Sequence, residues 1–257
     1  MSGDPHIRCA TLNGVATIEI ARPQKKNALT AAMYQAMADA VLDAQLDGAV
    51  RALLITGQPG IFTSGNDLED FMQRPPAGPD SAVVRFMKAL AECDKPVVAA
   101  VTGGAVGIGT TMLLHCDLVY VADDARLAMP FVALGLVPEY ASSLLLPRLV
   151  GHVRAAERLL LGDPFTGAQA VELGIANAVL PAAEVLNHAR RMAERFNNLP
   201  PGAVQDAKRL MKRAGKELVA QQMVAEGEQF TARLRSPEAR EAFQAFFDKR
   251  KPDFSKF

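Results

Sequence analysis

The first two thirds of the chain alternate short apolar runs with polar segments. Segments 8–12 and 15–20 flank Asn13-Gly14, a dipeptide suited to a two-residue turn, and so predict a β-hairpin. Apolar runs bounded by polar residues predict further, buried strands at 52–56, 97–101 and 118–121. Helical patterns separate these strands, and this alternation predicts an α/β fold with crossover connections.

Capping residues mark where the intervening helices begin. Thr30 is predicted to cap a helix that ends near Gly48, because apolar residues recur at helical spacing after it. Asp80 is predicted to cap a second helix that runs to about Cys93. A shorter helix is expected near 67–71.

Proline and glycine divide the chain further. The segment 74–79 is too rich in both residues for regular structure and predicts a mobile surface loop. Beyond Gly162 the pattern is mostly helical, and Pro200-Pro201 marks a boundary. We therefore expect a catalytic core at 1–200 and a C-terminal helical region at 201–257.

Composition narrows the class of protein. Hydrophobic residues make up 49% and charged residues 22%, as in ordinary globular proteins, and the 28 basic residues balance the 28 acidic ones. This balance argues against nucleic acid or an anionic membrane as a partner. Three unpatterned cysteines predict reduced thiols rather than a disulfide framework or a metal site. With no leader or membrane-length apolar run visible, we expect a cytoplasmic protein.

Two glycine-containing turns, 61–68 and 102–111, each follow a strand and open a helix. Such junctions leave N–H groups free to bind an anionic or carbonyl oxygen, although each turn is equally compatible with a plain glycine turn. A dinucleotide-binding loop is disfavoured, since Met112 stands where the third glycine of that motif belongs. The pair fits an oxyanion hole better, because two amides there converge on one developing charge.

Glu139 is the candidate proton carrier. It lies between Pro138 and Tyr140 in an otherwise apolar stretch, where desolvation raises the pKa of a carboxyl group toward the range that proton transfer needs. The same residue could instead be an exposed loop glutamate, or a capping partner for a helix that starts near Ser142.

Together these segments resemble the crotonase (enoyl-CoA hydratase/isomerase) superfamily. The resemblance covers roughly residues 8 to 195 in the family's order, and is carried by the stretches 26–29, 64–68, 95–103, 105–109 and 116–151. It implies a spiral of β-β-α units with a C-terminal helical region used for trimerisation. It also implies an acyl-CoA thioester as substrate, no metal, no cofactor beyond the coenzyme A of that substrate, and a homotrimer or a dimer of trimers.

The resemblance further implies positions for the site. The N–H groups of Ser64 and Ile108 would form the oxyanion hole for the thioester oxygen. Coenzyme A and substrate would contact Lys25, Lys26, Ala28, Ser64, Gly65, Asn66, Asp67 and Leu68, with the lysines near phosphates and Ala28 near the adenine.

The resemblance also bears on the reaction. The two glutamates of family hydratases correspond to Thr111 and Phe131, neither of which is a carboxylate. Glu139 corresponds to the single catalytic glutamate of the peroxisomal-type 3,2-enoyl-CoA isomerases. We therefore expect an isomerase that moves a 3-enoyl-CoA double bond to the 2-trans position.

Two alternatives remain at the level of sequence. One is an enoyl-CoA hydratase that uses Glu139 alone. The other is a catalytically inactive acyl-CoA-binding module. The sequence does not specify acyl chain length, and it leaves open whether Tyr140 narrows the acyl pocket or adds a hydroxyl near the base.

Overall fold

The structure is a computed structural model that describes residues 4–73, 78 and 80–257. Of the loop predicted at 74–79, all but residue 78 lies outside the described residues. None of the helices in the described ranges is both long enough and apolar enough to cross a bilayer.

Ten strands form in the described part of the chain. Their bounds are β1 Ile7–Leu12, β2 Val15–Ile20, β3 Ala52–Thr56, β4 Ile61–Thr63, β5 Val97–Val101, β6 Gly104–Val106, β7 Leu118–Ala122, β8 Arg126–Ala128, β9 Phe165–Thr166 and β10 Ala178–Leu180.

The strands form two sheets. The larger has the order β1-β2-β3-β5-β7-β10, in which only the β1–β2 hairpin is antiparallel. The smaller has the order β4-β6-β8-β9, with β9 antiparallel to β8. In each of the pairs β3–β4, β5–β6 and β7–β8, the first strand belongs to the larger sheet and the second to the smaller one. The chain therefore coils as repeated β-β-α units. This confirms the predicted fold.

Eleven α-helices occur among the described residues. They are α1 Ala31–Leu46, α2 Leu68–Gln73, α3 Ala82–Glu92, α4 Ile108–Thr111, α5 Ser142–Val150, α6 His152–Ala156, α7 Gly167–Glu172, α8 Ala182–Glu194, α9 Pro201–Arg213, α10 Lys216–Leu234 and α11 Pro237–Phe247. A π-helical turn, Glu157–Leu161, and 3-10 turns supplement them at Pro23–Lys25, Met112–His115, Val132–Leu134, Arg195–Asn198 and Phe254–Lys256.

Most predicted element boundaries agree with the structure, and the exceptions have local causes. Thr30 accepts a hydrogen bond from the Met33 N–H and caps α1 as predicted. Ser81, not Asp80, caps α3, because the helix starts one residue later than predicted. Strands β4, β6, β8, β9 and β10 were not predicted, and β4 and β6 lie within the segments described above as turns. Each has only two or three residues and forms by pairing with neighbouring strands rather than through an apolar pattern of its own.

The C-terminal helices pack against the core. Lys208 of α9 donates to the Asp117 carboxylate at 2.6 Å and to the Lys95 carbonyl oxygen at 2.7 Å, and this lysine is 3% exposed. Arg233 of α10 donates to the Gly135 carbonyl oxygen at 2.9 Å. Helix α9 begins at Pro201, next to the predicted boundary; the division into core and trimerisation region stays a prediction.

Asn27 joins three separate backbone segments. Its buried side-chain Nδ2 donates to the carbonyl oxygens of Ile20, Ile61 and Phe62 at 3.0 to 3.1 Å. Its Oδ1 accepts from the Arg22 N–H at 2.7 Å. This one amide therefore fixes the loop before α1 against the end of β2 and against β4.

We predict that Asn27→Ala lowers the free energy of unfolding by about 3 kcal/mol, because it leaves buried backbone groups without partners. Urea unfolding measures the change. Gln24→Ala is the matched control in the same loop, is exposed, and should change stability by less than about 0.5 kcal/mol. An Asn27→Ala protein as stable as this control would contradict the assignment.

Candidate active site

Two loops meet where β4 and β6 end. These strands pair in parallel, with Thr63 opposite Ala105, so their carboxyl ends lie at the same edge. Gly65 has φ +89°, and a Cβ built on it would lie 2.8 Å from the Val106 carbonyl oxygen. Glycine is therefore required at 65 both by conformation and by the close approach of the second loop.

The N–H of Ser64 is not available to a ligand. It donates to the Lys26 carbonyl oxygen at 3.0 Å, so the prediction that Ser64 contributes an oxyanion-binding amide is wrong. The Gly65 N–H is also occupied, since it donates to Thr63 Oγ1 at 3.1 Å.

Asn66 carries the free amide of this loop. A parallel bridge pairs Leu29 with Asn66 through the bonds from the Leu29 N–H to the Gly65 carbonyl and from the Asp67 N–H to the Leu29 carbonyl. In that pattern the Asn66 N–H points away from Leu29, and it has no acceptor among the described residues.

Ile108 presents a second free amide from the neighbouring loop. It is the first residue of α4, and its N–H has no acceptor within the described ranges, as expected for the first turn of a helix. The amide just before it is different, since the Gly107 N–H donates to the Ala128 carbonyl oxygen at 2.9 Å.

Glu139 reaches this edge of the molecule. Its side chain is buried, and Oε1 accepts a hydrogen bond from Thr111 Oγ1 at 2.7 Å. Thr111 lies three residues after Ile108 on α4, which is about one helical turn. The structure therefore brings the carboxyl group of Glu139 to the same short helix that begins with the free Ile108 amide.

The environment of Glu139 favours its protonated form. Burial raises the pKa of Glu139 from 4.5 to about 7, and the charge of Glu226 adds to that increase, whereas the hydrogen bond from Thr111 opposes it. Glu139 makes no ion pair with any described lysine, arginine or histidine. Near pH 7 this carboxyl group can therefore both accept and donate a proton.

The backbone after Glu139 turns through two left-handed residues. Tyr140 has φ +62° and Ala141 has φ +56°, a region in which each non-glycine residue costs about 1–2 kcal/mol. Such a corner persists only when its surroundings hold it. The contacts of Tyr140 provide that support.

Tyr140 is held at both ends and packs in the core. Its ring stacks on His115 with centroids 3.9 Å apart, and its hydroxyl donates to the Met87 carbonyl oxygen at 2.9 Å. Burial lowers the pKa of His115 to about 4, so the ring is neutral at pH 7 and its Nε2–H donates to the Tyr140 carbonyl oxygen at 2.8 Å. The hydrogen of the Tyr140 hydroxyl is therefore used in the bond to the Met87 carbonyl oxygen.

Tyr34 on α1 contacts the loop at Asn66 and is close enough to Glu139 to be affected by its charge. Its hydroxyl donates to Asn66 Oδ1, and burial followed by the charge of Glu139 raises the pKa of Tyr34 well above its ordinary value. Sequence reasoning missed this residue. A tyrosine on the apolar face of a helix is an ordinary core residue by pattern, and its link to Asn66 spans 32 positions.

The Asp67 carboxylate bonds to other groups of the protein. Its carboxylate pairs with Arg22 at 2.6 Å and accepts the N–H groups of Glu69 and Asp70 at the start of α2. Although burial raises the pKa of Asp67, these bonds and the Arg22 charge hold the pKa below its ordinary value. The carboxylate therefore fixes α2 to the Arg22 loop.

The other residues predicted to contact coenzyme A surround this loop. Lys25 and Lys26 are exposed, and Lys25 lies 3.5 Å from Glu69 in an ion pair. Ala28 is half-buried, with its carbonyl oxygen accepting from Arg22 at 2.9 Å. Leu68 is half-buried at the start of α2.

An aromatic ring lines the second loop. Phe131 is buried, and a Cβ built on Gly107 would lie 3.9 Å from its Cε1 atom. The phenyl ring thus forms an apolar wall next to the start of α4. No cluster of histidine, cysteine or acidic side chains suited to a metal ion occurs among the described residues.

Comparison with known proteins places this arrangement in a family. The family model for enoyl-CoA hydratase/isomerase matches residues 10–256. The solved structure of Pseudomonas aeruginosa OdaA superposes with a TM-score of 0.92 at 57% identity, covering 94% of this chain and 98% of that one.

Curated relatives include both an isomerase and a hydratase. Enoyl-CoA delta isomerase 2 of Rattus norvegicus is 34% identical over 245 residues, covering 93% of this chain and 62% of that protein. The 2,3-dehydroadipyl-CoA hydratase of Escherichia coli is 29% identical over 241 residues, covering 93% of this chain and 94% of that protein. The chain therefore belongs to the enoyl-CoA hydratase/isomerase (crotonase) family of acyl-CoA enzymes, as its sequence motifs indicated.

Proposed function

We propose that the protein isomerises 3-enoyl-CoA thioesters to 2-trans-enoyl-CoA thioesters with Glu139 as the only proton carrier. The observation that carries this proposal is one buried carboxyl group, with a pKa of about 7, that accepts a hydrogen bond from the helix beginning with the free Ile108 amide. A single group that accepts and returns a proton near neutral pH is what a double-bond shift requires.

The amides of Asn66 and Ile108 are proposed to bind the thioester oxygen. Both N–H groups lack acceptors within the described chain, and their loops touch at Gly65 and Val106. Fixed amides of this kind stabilise the negative charge that develops on the oxygen. Loss of one such donor in other enzymes raises the barrier by roughly 3 to 4 kcal/mol.

The proton transfers then follow. The Glu139 carboxylate removes a proton from C2, and the electrons of that C–H bond move into a dienolate whose oxygen faces the two amides. The carboxylic acid returns the proton to C4, and the double bond now lies between C2 and C3. No atom is gained or lost, and the two amides supply the electrophilic stabilisation, so the mechanism uses no metal and no cofactor beyond the substrate's own coenzyme A.

The surroundings of Glu139 favour this reaction over hydration. Hydration adds water across the double bond, and family hydratases use two glutamates for it. Here the corresponding residues are Thr111, which holds Glu139, and Phe131, whose ring is an apolar wall beside α4. The similarity to enoyl-CoA delta isomerase 2 supports the same choice.

Coenzyme A is proposed to bind along the loops that precede α1 and α2. The exposed Lys25 and Lys26 suit the phosphates of coenzyme A, with Ala28 and residues 64–68 along its path. We also propose that the protein assembles as a homotrimer or a dimer of trimers. It is proposed to work in the cytoplasm, with neither nucleic acid nor a membrane as a partner.

Glu139→Gln is predicted to lower isomerase turnover by about 10²- to 10⁴-fold, because it removes the proton carrier and keeps the side-chain shape. A panel of 3-enoyl-CoA and 2-enoyl-CoA substrates measures the rates, and calorimetry measures acyl-CoA binding. The control is Glu184→Gln, an exposed residue of α8. Unchanged isomerisation in Glu139→Gln would contradict the mechanism. Wild-type hydration without isomerisation would favour the hydratase, and binding without turnover the inactive module.

Thr111→Val is predicted to shift the pH profile of isomerisation. The wild-type rate should rise with pH with a midpoint of about 7, as Glu139 ionises. The Thr111 hydroxyl stabilises the ionised form, so its removal raises the pKa of Glu139 further and moves the midpoint to higher pH. A midpoint that stays in place or falls would show that this bond does not tune the base.

Glu139→Gln is also predicted to stabilise the fold at neutral pH. The carboxyl group releases its proton near pH 4.5 when unfolded and near pH 7 when folded, so the folded state binds more protons between these values. Wild-type stability therefore falls, relative to the variant, by on the order of 3 kcal/mol as pH rises through that window. Urea unfolding from pH 4.5 to 8 measures the difference. A constant difference would refute the raised pKa.

A further inference from the structure

Glu226, on the C-terminal helix α10, binds the backbone directly after the proposed base. Its Oε2 accepts the Ala141 N–H, and its Oε1 accepts the Ser143 N–H at 3.0 Å together with the Ser143 hydroxyl. The side chain is 6% exposed, although Glu226 lies 85 positions from Ala141 along the chain.

Gln222 orients the serine in this contact. It precedes Glu226 by one turn on α10, and its Nε2 donates to Ser143 Oγ at 2.8 Å. An amide N–H only donates, so the serine oxygen is the acceptor there and its own hydrogen is free to point at Glu226. Burial raises the pKa of the Glu226 carboxyl group, and the hydrogen bonds from Ser143 and Ala141 oppose that rise.

These bonds hold the left-handed corner that follows Glu139. On one side of the corner, the Glu139 carbonyl oxygen accepts the Ser142 hydroxyl at 2.7 Å and the Ser142 N–H at 3.1 Å. On the other side, Glu226 binds Ala141, itself a left-handed residue. The direction in which the Glu139 side chain leaves the backbone therefore depends on α10.

No cation neutralises Glu226 among the described residues. Its charge is balanced by the three donors and by the N-terminus of α5, which begins at Ser142. It also raises the pKa of Glu139.

We propose that Glu226 is a positioning residue, which holds the corner at Tyr140 and Ala141 so that the Glu139 carboxyl group faces the amides of Asn66 and Ile108. This inference rests on the proposed function. It assigns to the C-terminal helical region a part in proton transfer, exerted through Glu139 rather than by contact with substrate.

Glu226→Gln is the first test, because glutamine keeps the volume but replaces one acceptor oxygen with a donor that faces N–H groups. We expect turnover of the folded protein to fall about 10- to 100-fold with KM changed less than about threefold, since misplacement of the base affects the chemical step. Glu228→Gln is the matched control, an exposed residue of the same helix, and should behave as wild type.

The pH profile separates a positioning role from a merely structural one. Among the described residues, the titratable groups that face Glu139 are Glu226, Tyr34 and Tyr140, and burial raises the pKa of both tyrosines well above their ordinary value. Of these three groups, Glu226 is the one whose charge raises the pKa of Glu139. Glu226→Gln should move the midpoint of the base to lower pH, and Glu226→Asp should restore part of the turnover.

A double variant shows whether Glu226 acts through Glu139. In a Glu139→Gln background, Glu226→Gln should cause no further loss of turnover, because the base it positions is already absent. If Glu226→Gln does not fold, Ser143→Ala removes one of the three donors and should lower turnover in the same direction.

The outcomes distinguish this inference from the proposed function. Rates are measured on whichever enoyl-CoA substrate the wild-type protein converts, so the test does not require isomerisation. Glu226→Gln with wild-type turnover and midpoint, or with a full further loss in the Glu139→Gln background, would overturn the positioning role. A Glu139→Gln protein with wild-type turnover would instead overturn the proposed function.

Discussion

The burial of one carboxyl group without a cation is the constraint on which the site depends. Glu139 is 8% exposed, and one hydroxyl, that of Thr111, is its hydrogen-bond donor among the described residues. This environment raises the pKa of Glu139 to about 7, where a carboxyl group can exchange protons in both directions. An ion pair with lysine or arginine would have lowered the pKa and kept the group ionised. The high pKa of Glu139 therefore depends on the lack of a cation beside it among the described residues.

The fold explains how this group is held. Parallel pairing of β4 and β6 brings the loops at Asn66 and Ile108 together, and α4 then places Thr111 one turn further on. Directly after Glu139 the chain turns through two left-handed residues. Contacts from His115 and Glu226 hold that corner, so both the core and the C-terminal helices contribute to the position of one side chain.

The sequence predicted most of the fold and part of the site. Strands such as β3 and β5 were predictable because their apolar runs are buried on both faces. The burial and raised pKa of Glu139 were predictable from an acid in an apolar stretch. Ser64 was wrongly chosen over Asn66, because the direction of an amide depends on the parallel bridge to Leu29, which no local pattern encodes. Tyr34 and Glu226 were missed because their contacts join positions far apart in the chain.

The most direct test of the central claim follows the proton itself. A 3-enoyl-CoA substrate with deuterium at C2 would be converted by the wild-type protein in ordinary water, and the deuterium content of C4 in the product measured by mass spectrometry and NMR. If a single shielded carboxyl group carries the proton, part of the deuterium appears at C4 without passing through solvent. Product that carries none of it at C4, even at the earliest turnovers, would contradict transfer by one buried acid.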